Sequence, residues 1–344
     1  MTIIKYASAG CESRYLQPNL NFGAFLSKCV LINATALNNK RDSPLLSKIN
    51  EMKKNGFIIL VDSGGFQLAT GACKDLNVGE IIEIQNLYGD IGMMLDVPPI
   101  KGELNWKYFS ECLEETRINL HKAKNYKKNF KYYFVLQGET FETLDTWYNE
   151  LNHIDTFDGV SLKGLTLEKM LLAAMYAIDK TDYKNFHFLG VSSTNRQILI
   201  DYLFKGMDDS YFVTYDSTTP VMLGKSKMMK FPFSDVTLSF SKVKNFDDFK
   251  DVLQVENDFN SIISLNVLNI NLQQLFIKNM VHDRKLLEDA FSKYKLKPYF
   301  DIIDYFLANG RDMKKTIIKY SSYFEDKIPS GNTGVKQASL LGEF

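Results

Sequence analysis

Eight short apolar runs, bounded by turn-forming residues, punctuate the first two-thirds of this 344-residue chain: 3–7, 30–33, 57–61, 92–95, 132–136, 159–162, 186–191 and 212–215. Apolar runs of this length, rich in β-branched and aromatic residues, read as strands of a parallel sheet buried on both faces. Between them lie stretches with one-face helical spacing. The clearest is TLEKMLLAAMYAI, in which Leu167, Met170, Leu171, Ala174, Met175 and Ile178 recur at helical intervals. Strand and helix alternating eight times predict a closed (β/α)8 barrel rather than an open sheet. After Pro220 the alternation stops, and amphipathic helices are predicted between 246 and 324. The expected organisation is a barrel over 1–225, a helical appendage over 226–328 packed on or completing it, and a polar, mobile tail over 329–344.

Composition narrows the possible functions. With 45% hydrophobic residues the chain can bury a large core, and with a formal net charge of zero it has no global basic field to recruit a polyanion. A local basic patch is still open to it. No apolar run reaches membrane-spanning length, and the start MTIIKYASAG lacks the pattern of a secretion signal, so a cytoplasmic location is expected. The Asn-, Lys- and Ile-rich composition fits an AT-rich genome such as that of a phage, for which the location is the host cytoplasm. Cys11, Cys29, Cys73 and Cys112 show no CxxC spacing, and His121, His153, His187 and His282 are scattered. Neither set spells a metal site, and no metal or cofactor is expected.

In such a barrel the site forms where the loops after the strands converge. Immediately after the predicted strands stand Asp62 in ILVDSGGFQ, Asp96 in MMLDVPP, Gln137 in YYFVLQGE, Lys163 and Gly164 in GVSLKGL, and Asp216 in FVTYDSTTP. Each also fits a plain turn, since Asp, Ser and Gly are ordinary turn residues. Unrelated turns, however, need not place three acids and an amide at successive strand ends. Two or three carboxylates and an amide suit glycosyl transfer, in which one carboxylate attacks an anomeric carbon and another group moves protons.

These segments resemble the tRNA-guanine transglycosylase superfamily, including its DNA-modifying branch. DSGGFQ, Asp62 to Gln67, matches a family signature in full, and LDVPP, VLQGE, LKGLTLE, HFLGVSS and YDSTTP are similar to further family segments in the same order, with Pro220 four residues after Asp216. The resemblance implies that Asp216 is the nucleophile at C1′ of the target nucleoside and Asp62 the general base. It implies that Asp96 reads guanine N1–H and N2–H, that Gln137 donates to O6, and that Phe66 and Leu189 sandwich the ring. Ser63, Gly64, Gln67, Gly138, Gly164 and Leu165 complete the implied base site. The implied partners are a nucleic acid with its target base flipped out and a free 7-deazaguanine base, with the oligomeric state left open.

Three departures qualify the resemblance. The family's tRNA enzymes carry a CxCxxC segment and a later histidine that bind structural zinc, whereas no cysteine follows Cys112. A Thr-Arg pair of the family is replaced by Val221-Met222, followed by Lys225, Lys227 and Lys230, which could meet phosphates. The Gly-Gly pair has become Lys163-Gly164, and Glu168 stands one residue nearer, in the loop that faces the 7-substituent of the base in the family. Lys163 also admits a Schiff-base reading, which the adjacent acids oppose by keeping it protonated. The run from His121 to Lys131 concentrates five lysines, either as a solvated face or as a phosphate-tracking patch.

The expected function is exchange of guanine in DNA for a 7-deazaguanine such as the 7-cyano form. DNA is favoured because the zinc-bearing region is replaced, no further RNA-binding domain is expected, and net charge is absent. The alternatives are the same exchange on tRNA and a non-catalytic nucleic-acid-binding subunit, against which the retention of both Asp62 and Asp216 speaks. A plain glycoside hydrolase would leave Asp96 and Gln137 without a role.

Overall fold

The computed structural model describes residues 2–9, 26–37, 44–71, 77–100, 105–163, 166–233, 237–239 and 259–324. Eight parallel strands close into a barrel in chain order: β1 (Ile3–Ala9), β2 (Cys29–Asn33), β3 (Ile58–Asp62), β4 (Ile91–Met93), β5 (Lys131–Leu136), β6 (Gly159–Lys163), β7 (Asn185–Leu189) and β8 (Phe212–Ser217). The seam is a full ladder from Ile3 opposite Phe212 to Ser8 opposite Ser217. The predicted (β/α)8 barrel with C-terminal helices is therefore the fold, and each predicted strand lies within two residues of an observed one.

At the end of β7 the difference has a physical cause. The apolar run 186–191 predicts two more strand residues on β7, but Gly190 has φ 69°, left-handed backbone that ends the ladder at Leu189.

Helices follow the strands and cover the barrel wall. Thr140 and Thr143 form a capping box at the start of helix Phe141–Leu151, whose Trp147 is fully buried and donates from Nε1 to the Val135 carbonyl at 2.9 Å. Helix Leu167–Lys180 starts at Thr166, whose hydroxyl accepts from Lys169 N. Its predicted one-sided apolar stripe is only part of what is buried, since residues 170–178 are all enclosed. Helices Met313–Lys319 and Ser321–Phe324 pack over its outer side, so one helix serves as wall to the barrel and as floor to the appendage.

The C-terminal helices dock on the last barrel units. Helix Phe259–Met280 packs against helices Thr194–Phe204 and Thr219–Lys225 and against β1, where Gln274 Nε2 donates to the Ile4 carbonyl at 3.1 Å. A short antiparallel pair, Met228–Lys230 with Thr237–Ser239, follows the barrel in sequence, its first strand packing against helices Thr219–Lys225 and Phe259–Met280. The predicted tail 329–344 and the predicted helix start at 246 lie outside the described residues.

Candidate active site

At the carboxyl ends of the strands a cavity of about 550 Å³ opens. Strand geometry builds its wall, because side chains two apart point the same way. Leu31 and Asn33 of β2, Val135 of β5 with Gln137 just beyond it, Lys163 of β6, Leu189 of β7 and Asp216 of β8 all face it, as does Asp62 of β3, which pairs in register with Asn33. Asp96 arrives differently. β4 ends at Met93, and the irregular segment after it carries Asp96 to the same wall.

The two glycines of DSGGFQ have separate causes. Gly64 takes φ 87°, a left-handed turn, and its N–H, with that of Ser63, favours the ionised Asp62 carboxylate against the effect of burial. Gly65 stands where a Cβ would lie 2.4 Å from the Asp96 carbonyl oxygen, so only a glycine lets the loops after β3 and β4 come this close. Phe66 follows at the start of helix Gly65–Ala69. It is 57% exposed on the cavity lip, which leaves an aromatic face open beside Leu189.

Each acid has its own surroundings. Asn33 Nδ2 donates to Asp62 Oδ2 at 2.9 Å and to Gln67 Oε1 at 3.0 Å, while its own Oδ1 accepts from Thr35. Burial pushes the Asp62 carboxyl up to about 6, the neighbouring Asp216 charge adds to this, and His187 opposes it. Burial likewise pushes Asp96 up to about 7, against the hydrogen bond from Gln137 and with the added repulsion of Asp62. Gln137 Nε2 donates to Asp96 Oδ2 at 2.7 Å, which fixes the amide and leaves its second N–H for a ligand. Asp216 Oδ1 accepts from the Gly190 N–H at 2.8 Å.

The structure thus brings Asp62, Asp96, Gln137, Asp216, Phe66, Gln67 and Leu189 onto one cavity. Ser63, Gly64 and Gly138 lie off its wall. Gly138, at φ 149°, packs against Leu144 and shapes the turn after β5. Gly164 and Leu165 lie outside the described residues, as do Cys11 and Cys73. Glu168 turns away to accept from the Tyr299 hydroxyl of helix Lys297–Ala308. Lys225, Lys227 and Lys230 follow the cavity, at the end of helix Thr219–Lys225, in the turn after it and in strand Met228–Lys230 respectively. The lysine-rich run 121–131 precedes β5 and so lies at the opposite, amino end of the barrel, where Lys128 pairs with Asp155 at 2.8 Å. It cannot line this mouth.

Sequence reasoning missed Asn33, Ser192, Arg196, Thr218 and Thr219, all on the cavity, and His187 beneath it. Asn33 carried a usable signal, being the last residue of a predicted strand. Arg196 carried none, because it reaches the cavity from the first turn of helix Thr194–Phe204.

The arrangement offers a carboxylate anchored through one oxygen, a second whose carboxyl exchanges protons near neutrality, an acid–amide pair able to read donors and an acceptor on a planar edge, and an open aromatic face. No known family profile matches the chain. A stretch of 131 residues, 37% of the chain, is 31% identical to the tRNA-guanine(15) transglycosylase of Thermococcus onnurineus (strain NA1). That stretch spans 22% of the relative's length, so most of the relative has no counterpart in the match. The match is a likeness to part of one transglycosylase, in line with the resemblance carried by the motifs.

Proposed function

We propose that this chain exchanges guanine in DNA for a free 7-deazaguanine base through a glycosyl-enzyme intermediate on Asp216. The observation that carries this reading is the convergence of Asp62, Asp96, Gln137 and Asp216 on one cavity. Asp216 attacks C1′ of a flipped deoxyguanosine. The C1′–N9 bond breaks, its electron pair leaves with guanine, and Asp62 supplies the N9 proton. The incoming base binds in the vacated place, Asp62 takes its N9 proton, and N9 attacks C1′ while the Asp216 ester opens. Two displacements at one carbon retain its configuration.

The order of the strands suits a purine. Around the mouth come Asp96, Gln137 and Lys163 from consecutive barrel units. Around the base come N1–H with N2–H, then O6, then C7. Asp96 and Gln137 would thus face the Watson–Crick edge, and Lys163 would face the 7-substituent. Phe66 and Leu189 supply the two faces, stacking being worth about 1–3 kcal/mol per base. Arg196 adds a cation on the same cavity for a neighbouring phosphate.

DNA is favoured by the replacement of the cysteine-bearing region of the tRNA enzymes, and attack at C1′ needs no 2′-hydroxyl. A second reading, the same exchange on tRNA, is favoured by the name of the Thermococcus relative. The test offers labelled 7-cyano-7-deazaguanine with duplex DNA, single-stranded DNA or unmodified tRNA. Label should enter DNA and be lost with Asp216→Ala. Wild-type protein trapped with DNA should carry a denaturation-resistant adduct on Asp216. Label in tRNA alone would overturn the DNA reading, and full activity of Asp216→Ala would overturn the mechanism.

A further inference from the structure

We propose that His187, held by Thr214, is a positioning residue that, with the Gly190 N–H, anchors Asp216 Oδ1 and so assigns Oδ2 as the attacking oxygen. The proposal rests on the reading of Asp216 as the nucleophile. His187 is fully buried on β7, in register with Ser161 of β6 and Thr214 of β8, one layer below the cavity wall. Its Nδ1 lies 2.8 Å from Thr214 Oγ1, and that hydroxyl lies 3.3 Å from the Phe186 carbonyl oxygen. Of these two partners Nδ1 is the nearer, and with the Thr214 hydroxyl donating to it the ring proton sits on Nε2.

Nε2 then faces Asp216 Oδ1 at 3.4 Å and has no hydrogen-bond partner. An unprotonated Nε2 would set a lone pair against a carboxylate oxygen in a buried place. A proton there turns the contact into a donor facing a carboxylate oxygen. The groups around the ring offer acceptors for it, Asp216 from β8 and Asp62 from β3, while β6 presents Ser161.

This geometry also divides the labour between the two oxygens. Oδ1 accepts from Gly190 N at 2.8 Å and faces Nε2. Oδ2 is left to form the bond to C1′ as the C1′–N9 bond breaks. When the ester opens again, the departing carboxylate meets the same two donors, so the release step is helped as well.

Two measurements test the assignment. In the first, nitrogen-15 NMR of histidine-labelled protein should find His187 Nε2 protonated in the wild type, with its signal shifted in Asp216→Asn. A ring whose Nε2 carries no proton in the folded wild type would overturn the proposal. In the second, the rate of the denaturation-resistant adduct is followed for His187→Ala, His187→Gln and Thr214→Val. His187→Ala should slow adduct formation, Thr214→Val should slow it less, and His187→Gln, whose amide keeps a donor in the same place, should recover much of the rate. A folded His187→Ala with an unchanged rate would overturn the proposal. Should His187→Ala fail to fold, the NMR measurement decides. Should the wild type form no adduct on DNA or tRNA, the nucleophile reading falls, while the NMR measurement still reports on the pair.

Discussion

Asp62 and Asp96 share a cavity and are both pushed up by burial, to about 6 and about 7, yet the chemistry asks opposite things of them. A group that passes protons between two N9 atoms works best when its affinity for the proton lies near the working pH. Asp62→Asn should still form the adduct with Asp216, but its release by incoming base should slow by about 10²-fold or more, as measured by chasing trapped adduct with labelled base. In the wild type the same chase should slow as pH falls through about 6, because only the ionised carboxyl accepts the N9 proton. Asp96 has to be ionised to accept from N1–H and N2–H, so affinity for the free base should fall as pH drops through about 7. Asp96→Asn should weaken base binding about 10- to 100-fold by calorimetry, since mispaired buried donors cost about 1–3 kcal/mol.

Loops and helices decide which charges can meet the polymer. The helix Thr219–Lys225 leaves the cavity at Thr219, and its last residue stands about 9 Å along the axis at 1.5 Å per residue. Lys225, Lys227 and Lys230 are therefore within reach of phosphates flanking a flipped nucleotide. Replacing all three by serine should weaken DNA binding alike for every sequence and reduce the slope of log affinity against log salt by up to about 3. Replacing Lys122, Lys124, Lys127 and Lys131, at the far end of the barrel, should change affinity less than about twofold, which fluorescence anisotropy can read. An equal loss from both sets would reject this placement of the polymer. Local periodicity had no means of telling these clusters apart, because both look like solvated lysines beside a helix.

On the scale of the whole molecule, the appendage closes over a polar seam that costs stability. Asp201 of helix Thr194–Phe204 is 1% exposed, and neither of its carboxylate oxygens has a hydrogen-bond partner. Burial pushes its carboxyl up to about 8, with Lys278 of the long C-terminal helix opposing in part. The folded chain thus keeps a proton that the unfolded chain releases near pH 4, so this contribution to stability falls as pH rises from about 4 to about 8. Asp201→Asn should flatten that slope. At pH 8 it should raise stability by at least about 1 kcal/mol over wild type, since each tenfold change in proton affinity is worth about 1.4 kcal/mol, with the difference vanishing toward pH 4 in urea titrations. We also expect elemental analysis to find no zinc in the folded protein and a chelator to leave the melting temperature unchanged, because structural zinc needs about four N or S ligands and no cysteine follows Cys112.

The residue pattern by itself determined the strands, their order and the closed barrel. Apolar runs ended by turn formers are local signals, and eight of them in alternation with helices have few other ways to bury both faces of a sheet. It also made Asp62, Asp96, Gln137 and Asp216 legible as candidates, since they stand at or just past strand ends. Only the tertiary structure decided which of them face one cavity and what lies behind them. Asp96 reaches the wall through an irregular segment, Arg196 comes from a helix, and His187 meets Asp216 because β7 and β8 are in register. The lysine run fell at the wrong end of the barrel, and helix Leu167–Lys180 is buried between the barrel and two helices far along the chain. Register, burial and the direction a side chain points arise from contacts distant in sequence, and no local period carries them.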